Sequence, residues 1–328
     1  MQTHSSPVRP ISDAPYTGRV MQRTGSDGSV PMDICPAPKE LPADYIISGY
    51  RLLHSIGEGG FGVTYLAADE LLHRRVVIKE HFPHSLCQRQ AATCDIAYHN
   101  HVSEQEYHWA LGNFLREVRL LASLDHPHIV KIYTFFEAHN TAYYVTEHVD
   151  GPCLADVALE YRKHLGHIPQ QPLYSLMVHM LDALDYLHSH NILHLDIKPD
   201  NILVTRDGRP ILIDMGAAID LGEELPSTIV ETPGYSPPEQ CTPGGKLAPA
   251  TDLYAFAATL YYLITGNAVP PSRQRELIDT LVPLSDMPHL RAKYHPRLLA
   301  GIDKALSPAM NERYANAAEW LHDLSQQP

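Results

Sequence analysis

The sequence predicts an α+β chain in two lobes, strand-rich first and helix-rich afterwards, preceded by a tail without a core. Three observations lead there. Residues 1–44 are rich in Pro, Ser, Gly and Thr and show no hydrophobic period, so they cannot bury enough apolar surface to offset the entropy of ordering and are expected to form a disordered tail. From Tyr50 to Glu147, short apolar runs of strand length dominate. After Gly151, apolar residues recur every three or four positions, the spacing of helices buried on one side. The expected organisation is a tail at 1–44, a first lobe at 45–149 and a second lobe at 150–328.

Within the first lobe, residues 63–68 and 75–79 read as two strands around a polar turn. Leu111, Phe114, Val118 and Leu121 share one stripe and predict a helix over 109–124. Residues 129–137 and 142–147 read as two further strands, and the stretch 84–108 as a surface loop, a contact for a regulator. In the second lobe Leu173, Met177, Met180, Leu184 and Leu187 mark a long core-facing helix. Residues 203–204 and 211–213 form a short hairpin turning at Asp207-Gly208. Leu253, Phe256, Leu260 and Leu263 define another apolar helix, ended by Gly266. Asn316 followed by Glu319 fits a capping box opening the last helix.

Composition narrows the function. The net charge of −13 and the absence of a basic block argue against binding nucleic acid through its phosphates. The acid excess would suit a positively charged partner, but solubility accounts for it more simply. Cys35, Cys87, Cys94, Cys153 and Cys241 are odd in number and contain no C-x-x-C pair, which speaks against a disulfide framework or a zinc site. The longest apolar segment, 253–264, is too short to span a bilayer, and the first thirty residues hold no stretch of signal-peptide length. A cytoplasmic protein with reduced thiols, not associated with a membrane, is expected. His99, His101 and His108 lie close together, but with 21 histidines scattered along the chain and no completing ligand the metal reading loses.

The chemistry is carried by three segments. Gly57-Glu58-Gly59-Gly60-Phe61-Gly62 lies between two strand-like runs. Glycines let a backbone approach a polyphosphate closely and present its N–H groups. Because a strand follows, rather than a helix, a dinucleotide site is not expected. Lys79 ends the next strand, within reach of phosphates held under such a loop, and Glu117 on the 109–124 helix can hold its ammonium. Residues 194–201 read HLDIKPDN. Phosphoryl transfer asks mainly for positioning and charge neutralisation. Asp196 can orient an acceptor hydroxyl and take its proton, and Lys198 can meet charge on the transferred group. Asn201 and Asp214 offer the amide and carboxylate oxygens that Mg²⁺ prefers. Each residue alone would pass for a cap or turn residue; in this order and spacing they do not.

Over residues 50–328 the chain resembles the bacterial eukaryotic-type (Hanks-type) serine/threonine protein kinases. The matching pieces are GEGGFG at 57–62, VVIK at 76–79, HLDIKPDN at 194–201, DMG at 214–216 and SPPE at 236–239. The resemblance implies a two-lobed protein-kinase-like fold with an antiparallel-sheet N-lobe holding one main helix and a mostly helical C-lobe. It also implies transfer of the ATP γ-phosphoryl group to Ser or Thr of proteins, the chain itself included. Gly57, Gly59, Gly60, Phe61, Gly62, Thr64, Val77 and Lys79 would bind the nucleotide, with Thr146, Glu147 and Val149 along the adenine. Asn201 and Asp214 would hold Mg²⁺, or alternatively Mn²⁺. Asp252 would tie the catalytic loop to the 252–265 helix, and Arg313 would pair with Glu239. Lys198-Pro199 and Thr232 point to Ser/Thr acceptors, and relatives work opposite a phosphatase or beside a phosphothreonine-binding protein. A pseudokinase serving as a binding module is the first alternative, opposed by intact Lys79, Glu117, Asp196, Asn201 and Asp214. A small-molecule kinase is the second, opposed by SPPE and Lys198-Pro199.

Three positions depart from the pattern. Met215 replaces a Phe and Thr64 a Val, both mild changes. Leu195 stands where many kinases carry an arginine that binds an activation-loop phosphate. The loop from Asp214 to Glu239 contains Ser227, Thr228 and Thr232, three glutamates before Glu239 (Glu223, Glu224 and Glu231) and no Lys or Arg. Catalysis is therefore expected not to require phosphorylation of that loop.

Overall fold

The computed structural model describes residues 39–59, 62–223 and 230–326. The tail expected at 1–44 lies outside the described residues as far as residue 38, as do Gly60, Phe61, Glu224, Ser227 and Thr228. The chain divides into two compact units: residues up to Ala122 together with Lys131–His148, and Ser123–Val130 together with Val149 onward.

The first unit is built on strands β1 (Ile46–Ile47), β2 (Tyr50–Gly59), β3 (Gly62–Asp69) and β4 (Arg74–His81), hairpin strands β5 (Cys87–Arg89) and β6 (Ile96–Tyr98), helix α1 (Glu104–Ala122) and strands β7 (Ile132–Ala138) and β8 (Thr141–Glu147). Six strands form one antiparallel sheet in the order β1-β2-β3-β4-β8-β7. Along β4, Val76, Ile78 and Glu80 are fully buried while Arg75, Val77 and Lys79 are less so. The period of two thus sends Val77 and Lys79 to the face opposite the core residues.

α1 begins five residues before the helix expected at 109–124. Ser103 and Glu106 form a reciprocal cap: Ser103 N–H donates to Glu106 Oε2 at 2.7 Å, and Glu106 N–H to Ser103 Oγ at 3.2 Å. This cap satisfies donors that would otherwise fray the start. From there Tyr107, Leu111, Phe114, Val118 and Leu121 form the buried stripe.

The stretch 84–108 is not the surface loop that its polarity suggested. It contains the β5–β6 hairpin, and Cys87, Arg89 and Ile96 are buried. The reason lies on β4. Glu80 is completely buried and needs compensation, which Arg89 supplies through an ion pair of 2.7 Å, while Tyr65 and Tyr143 donate hydroxyls at 2.8 and 2.5 Å. Arg89 spends further donors on the carbonyls of Lys39 and Cys94. A buried pair offsets its desolvation only when its remaining valences are met in this way.

The second unit holds α2 (Leu154–Leu165), α3 (Gln170–Ser189), β9 (Ile192–Leu193), β10 (Ile202–Val204), β11 (Pro210–Leu212), β12 (Ile219–Asp220), α4 (Pro249–Thr265), α5 (Ser272–Leu277), α6 (Pro288–Arg291), α7 (Pro296–Ala305) and α8 (Ala317–Ser325). α3 buries the expected Leu173, Met177, Met180, Leu184 and Leu187. α4 is the core helix: Leu253, Phe256, Ala257, Ala258 and Leu260 have no exposed surface, and Gly266 closes the helix in the left-handed region with φ 78°. β10 and β11 pair with Gly208 at φ 84° in their turn. Asn316 Oδ1 caps α8 by accepting Glu319 N–H at 2.8 Å, but the Glu319 side chain reaches Ala315 N–H rather than completing the expected box. Residues 129–131, expected to begin a strand, instead precede β7. The Ser123–Val130 segment packs with the second unit, where Val130 N–H donates to Leu212 O and Leu212 N–H to His128 O.

One buried group in the first unit makes stability depend on pH. His81 has no exposed surface, neither ring nitrogen has a hydrogen-bond partner, and the ring packs against Tyr107 and Phe114 with centroids 5.3 and 5.2 Å away. Burial lowers its imidazole from the ordinary 6.5 to about 4. Between those values the unfolded chain takes up a proton that the folded chain refuses, so stability falls as pH drops from 6.5 to about 4, by about 3 kcal/mol across the window. Urea unfolding at pH 7, 6, 5 and 4.5 should give His81→Leu a shallower loss than wild type; identical slopes would show that His81 does not carry the dependence.

Candidate active site

In the first unit, β2 and β3 pair up to Gly59 opposite Gly62, with register shifts between Leu52 and His54 and between Ser55 and Gly57. A Cβ at Gly62 would run into the Glu80 carbonyl, so only glycine lets β3 start against β4 here. Glu58, in the glycine loop, pairs with Lys39 at 2.8 Å and His84 at 2.7 Å. The Lys39 hydrogen bond is the first cause that holds its carboxyl below the usual range. Thr64 lies opposite Lys79 in the β3–β4 register, and Val77 opposite Thr146 across β4 and β8. Thr146 is buried, and Glu147 Oε1 accepts Lys131 N–H at 2.9 Å.

Lys79 Nζ donates to Glu117 Oε1 at 3.0 Å, joining β4 to α1 as the sequence anticipated. The sequence did not flag Tyr144, on β8, whose hydroxyl donates to the same Glu117 oxygen at 2.7 Å. Its only signal was an aromatic inside an apolar strand, which reads as core. The Glu117 side chain is 8% exposed, so both bonds form largely out of water, where charge-assisted hydrogen bonds are strongest.

In the second unit β9 pairs with β12, and the segment HLDIKPDN leaves β9. Leu195 and Asp214 both sit in the left-handed region, at φ 62° and 70°, a conformation that costs energy for any side chain and is held here by neighbours. Asp252 supplies the hold at Leu195: its Oδ2 accepts His194 N–H and its Oδ1 accepts Leu195 N–H, each at 2.9 Å. Burial keeps the His194 imidazole neutral, lowering its pKa. Its Nδ1 can therefore accept Asp196 N–H at 3.2 Å.

Asp196, Lys198 and Asn201 are brought together. Asp196 Oδ2 accepts from Lys198 Nζ at 2.7 Å and Asn201 Nδ2 at 2.8 Å. Asn201 Nδ2 also donates to Asp196 O at 2.8 Å, and Ile213 N–H donates to Asn201 O at 2.9 Å, fixing the segment before Asp214. Asp214 Oδ1 accepts Gly216 N–H at 3.1 Å, and Met215 beside it is buried, as its apolar match to Phe requires. Val149 is half-buried at the first residue of this unit's long segment. In the sequence Thr232 stands as a sign of acceptor class and as one of the hydroxyls of the loop before Glu239. Its Oγ1 in fact donates to Asp196 Oδ1 at 2.6 Å. Glu239 pairs with Arg313 at 2.7 and 3.1 Å, as expected.

Comparison with known proteins agrees with this geometry. The model of the protein kinase domain matches residues 50–323. Serine/threonine-protein kinase PknA of Nostoc sp. is 32% identical over 290 residues, covering 84% of this chain and 46% of that protein. Serine/threonine-protein kinase PrkC of Bacillus subtilis is 32% identical over 225 residues, covering 67% of this chain and 31% of the relative. Among solved structures, the PpkA-294 apo form shares 31% identity with a TM-score of 0.76, covering 88% of this chain and all of that one. The chain spans only about a third to a half of these curated relatives. It belongs to the protein kinase domain family. Within that family the relatives it matches are bacterial serine/threonine-protein kinases.

Glu117→Gln removes the charge that holds Lys79 and should raise the Kd for ATP by about tenfold or more, whereas Tyr144→Phe removes one neutral donor and should cost about fivefold. Equilibrium nucleotide titration of both variants measures this; equal, negligible effects would show that the Lys79–Glu117–Tyr144 arrangement does not serve the nucleotide.

Proposed function

We propose that this chain transfers the γ-phosphoryl group of ATP to serine or threonine hydroxyls of protein substrates, with Asp196 as the base. The observation that carries this reading is the arrangement around Asp196: two donors, Lys198 and Asn201, fix one carboxylate oxygen, and Thr232 fixes the other. A carboxylate so held can receive the acceptor proton without reorienting. The acceptor oxygen attacks the γ-phosphorus, the bond from that phosphorus to the bridging oxygen breaks, and ADP leaves with its electron pair. Lys198 balances charge on the moving group. Lys79, held by Glu117, serves the α- and β-phosphates, and the glycine loop 57–62 covers them.

The donor set fits a hard dication. With Asn201 Nδ2 committed to Asp196, the amide oxygen is the atom left to ligate, and the carboxylate of Asp214 is the second ligand; the pair suits Mg²⁺ and would accept Mn²⁺. When bound, the metal supplies charge neutralisation on the phosphates. Among the described residues no helix is long and apolar enough to cross a membrane. The reduced-thiol composition supports a cytoplasmic site of action, opposite a cognate phosphatase or beside a phosphothreonine-binding protein.

Asp196→Asn should keep nucleotide affinity within about twofold while transfer falls by about 10²–10⁴, the usual contribution of a positioned base. The measurement is incubation with labelled ATP and Mg²⁺, with phosphosites mapped by mass spectrometry in wild type and variant. Normal turnover in Asp196→Asn would remove the assignment of the base, and a wild type that labels no protein would favour the pseudokinase.

A further inference from the structure

Leu195 leaves open what orders the activation segment. In the structure Leu195 is buried with Leu193, Ile219 and Leu247, with Ala217 packed against them. A cationic side chain has no place in that cluster, and a phosphate would find no cation from residue 195. The segment is nevertheless tied to the catalytic loop. Gln240 is 4% exposed, and its Nε2 donates to two backbone carbonyls, Leu195 O and Val230 O, both at 2.7 Å. An amide NH₂ group has two protons, and each is used.

We propose that Gln240 is a positioning residue for phosphoryl transfer: its amide links the catalytic loop at Leu195 to the activation segment at Val230, so that order there depends on a neutral, permanent tie rather than on phosphorylation. This rests on the reading of Asp196 as the base. The carbonyl of Leu195 immediately precedes Asp196, and Val230 lies two residues before Thr232, whose hydroxyl is on Asp196. The two links therefore run in parallel, and the first sets the register of the second.

Several features suit Gln240 to this task. Its backbone is pinned by its own N–H to Pro237 O at 3.1 Å, and the preceding Glu239 is held by Arg313 and by Thr251 Oγ1 at 3.0 Å. Gln240 Oε1 is buried with no hydrogen-bond partner. An unsatisfied buried acceptor is unfavourable, so the residue's place is explained by its donors and not by its oxygen. Glutamate would match the shape but set carboxylate oxygens against two carbonyls. Methionine would fill the volume and leave both carbonyls bare. Elsewhere on the segment, Glu231 pairs with Arg273 at 2.9 Å, a cation from outside the loop that the sequence did not reveal. That pair is exposed and contributes little. Thr232 N–H donates to Ser236 Oγ at 2.9 Å, closing the turn beyond.

The test uses the full chain, treated with phosphatase and checked by mass spectrometry, with dephosphorylated casein as acceptor. Gln240→Met and Gln240→Glu should each lower kcat by tenfold or more, with KM for ATP within twofold of wild type. Wild type should keep its rate within twofold on dephosphorylation. Amide hydrogen exchange of residues 230–236 should speed up by tenfold or more in both variants, with the amides of α4 unchanged. Wild-type kcat in Gln240→Met, unaltered exchange at 230–236, or a large loss of wild-type rate on dephosphorylation would each overturn the proposal. Should wild type transfer nothing to casein or to itself, the functional reading fails, while the exchange measurement still decides the tie.

Discussion

Asp252 lies in the first turns of α4 with no exposed surface, and its two oxygens accept His194 N–H, Leu195 N–H and His188 Nε2, each at 2.9 Å. Burial alone would raise its carboxyl, but the hydrogen bonds from His188 and from the His194 backbone outweigh it and hold the group below the ordinary range. The N-terminal end of α4 favours negative charge as well. Hydrogen bonds to an ionised group contribute about 1.5–3 kcal/mol each, enough to keep Leu195 in the left-handed conformation that turns the chain toward Asp196. The segment proposed for catalysis is thus hung from the most buried helix of the second unit.

That suspension explains why so little charge is needed around Asp196. Lys198 is the one cation hydrogen-bonded to Asp196 among the described residues; its other partners, Asn201, Thr232 and the backbone N–H to His194, involve neutral groups. Thr232 spends its hydroxyl proton on Asp196, so modification of Thr232 would break a link to that carboxylate rather than add one. The acidic character of the activation segment has the same consequence. With Glu231 already matched by Arg273, a further negative charge would meet repulsion more readily than a partner.

How much of this was legible in the sequence depended on whether a residue's role is local. The strands at 63–68 and 75–79, the long helix with Leu173 to Leu187, and the Gly266 stop follow from periodicity and from glycine's access to positive φ, so the structure repeats them. The pairings of Lys79 with Glu117 and Arg313 with Glu239 were legible through spacing shared with a known family. The functions of Tyr144, Gln240 and Arg273 were not, because their partners lie 27, 45 and 42 residues away with no pattern linking them. The stretch 84–108 failed for a related reason. Arg89 and its polar neighbours read as solvated until Glu80, alternating onto the core face of β4, is seen to need a cation.

The two units solve the problem of buried polarity in opposite ways. The first buries a full ion pair, Glu80 with Arg89, and satisfies it with two tyrosine hydroxyls and two carbonyls, so removing any one partner exposes charge to a low-dielectric interior. The second, at the corresponding point of need, keeps an apolar leucine and lets the side-chain amide of Gln240 join two carbonyls. A neutral link is weaker than a phosphate clasped by arginine, but it requires no kinase upstream and no counter-charge. Among the described residues, the tie from Leu195 through Gln240 to Val230 uses neutral groups alone, so a phosphate acting on this segment would act elsewhere than at that tie, as at the Thr232 hydroxyl.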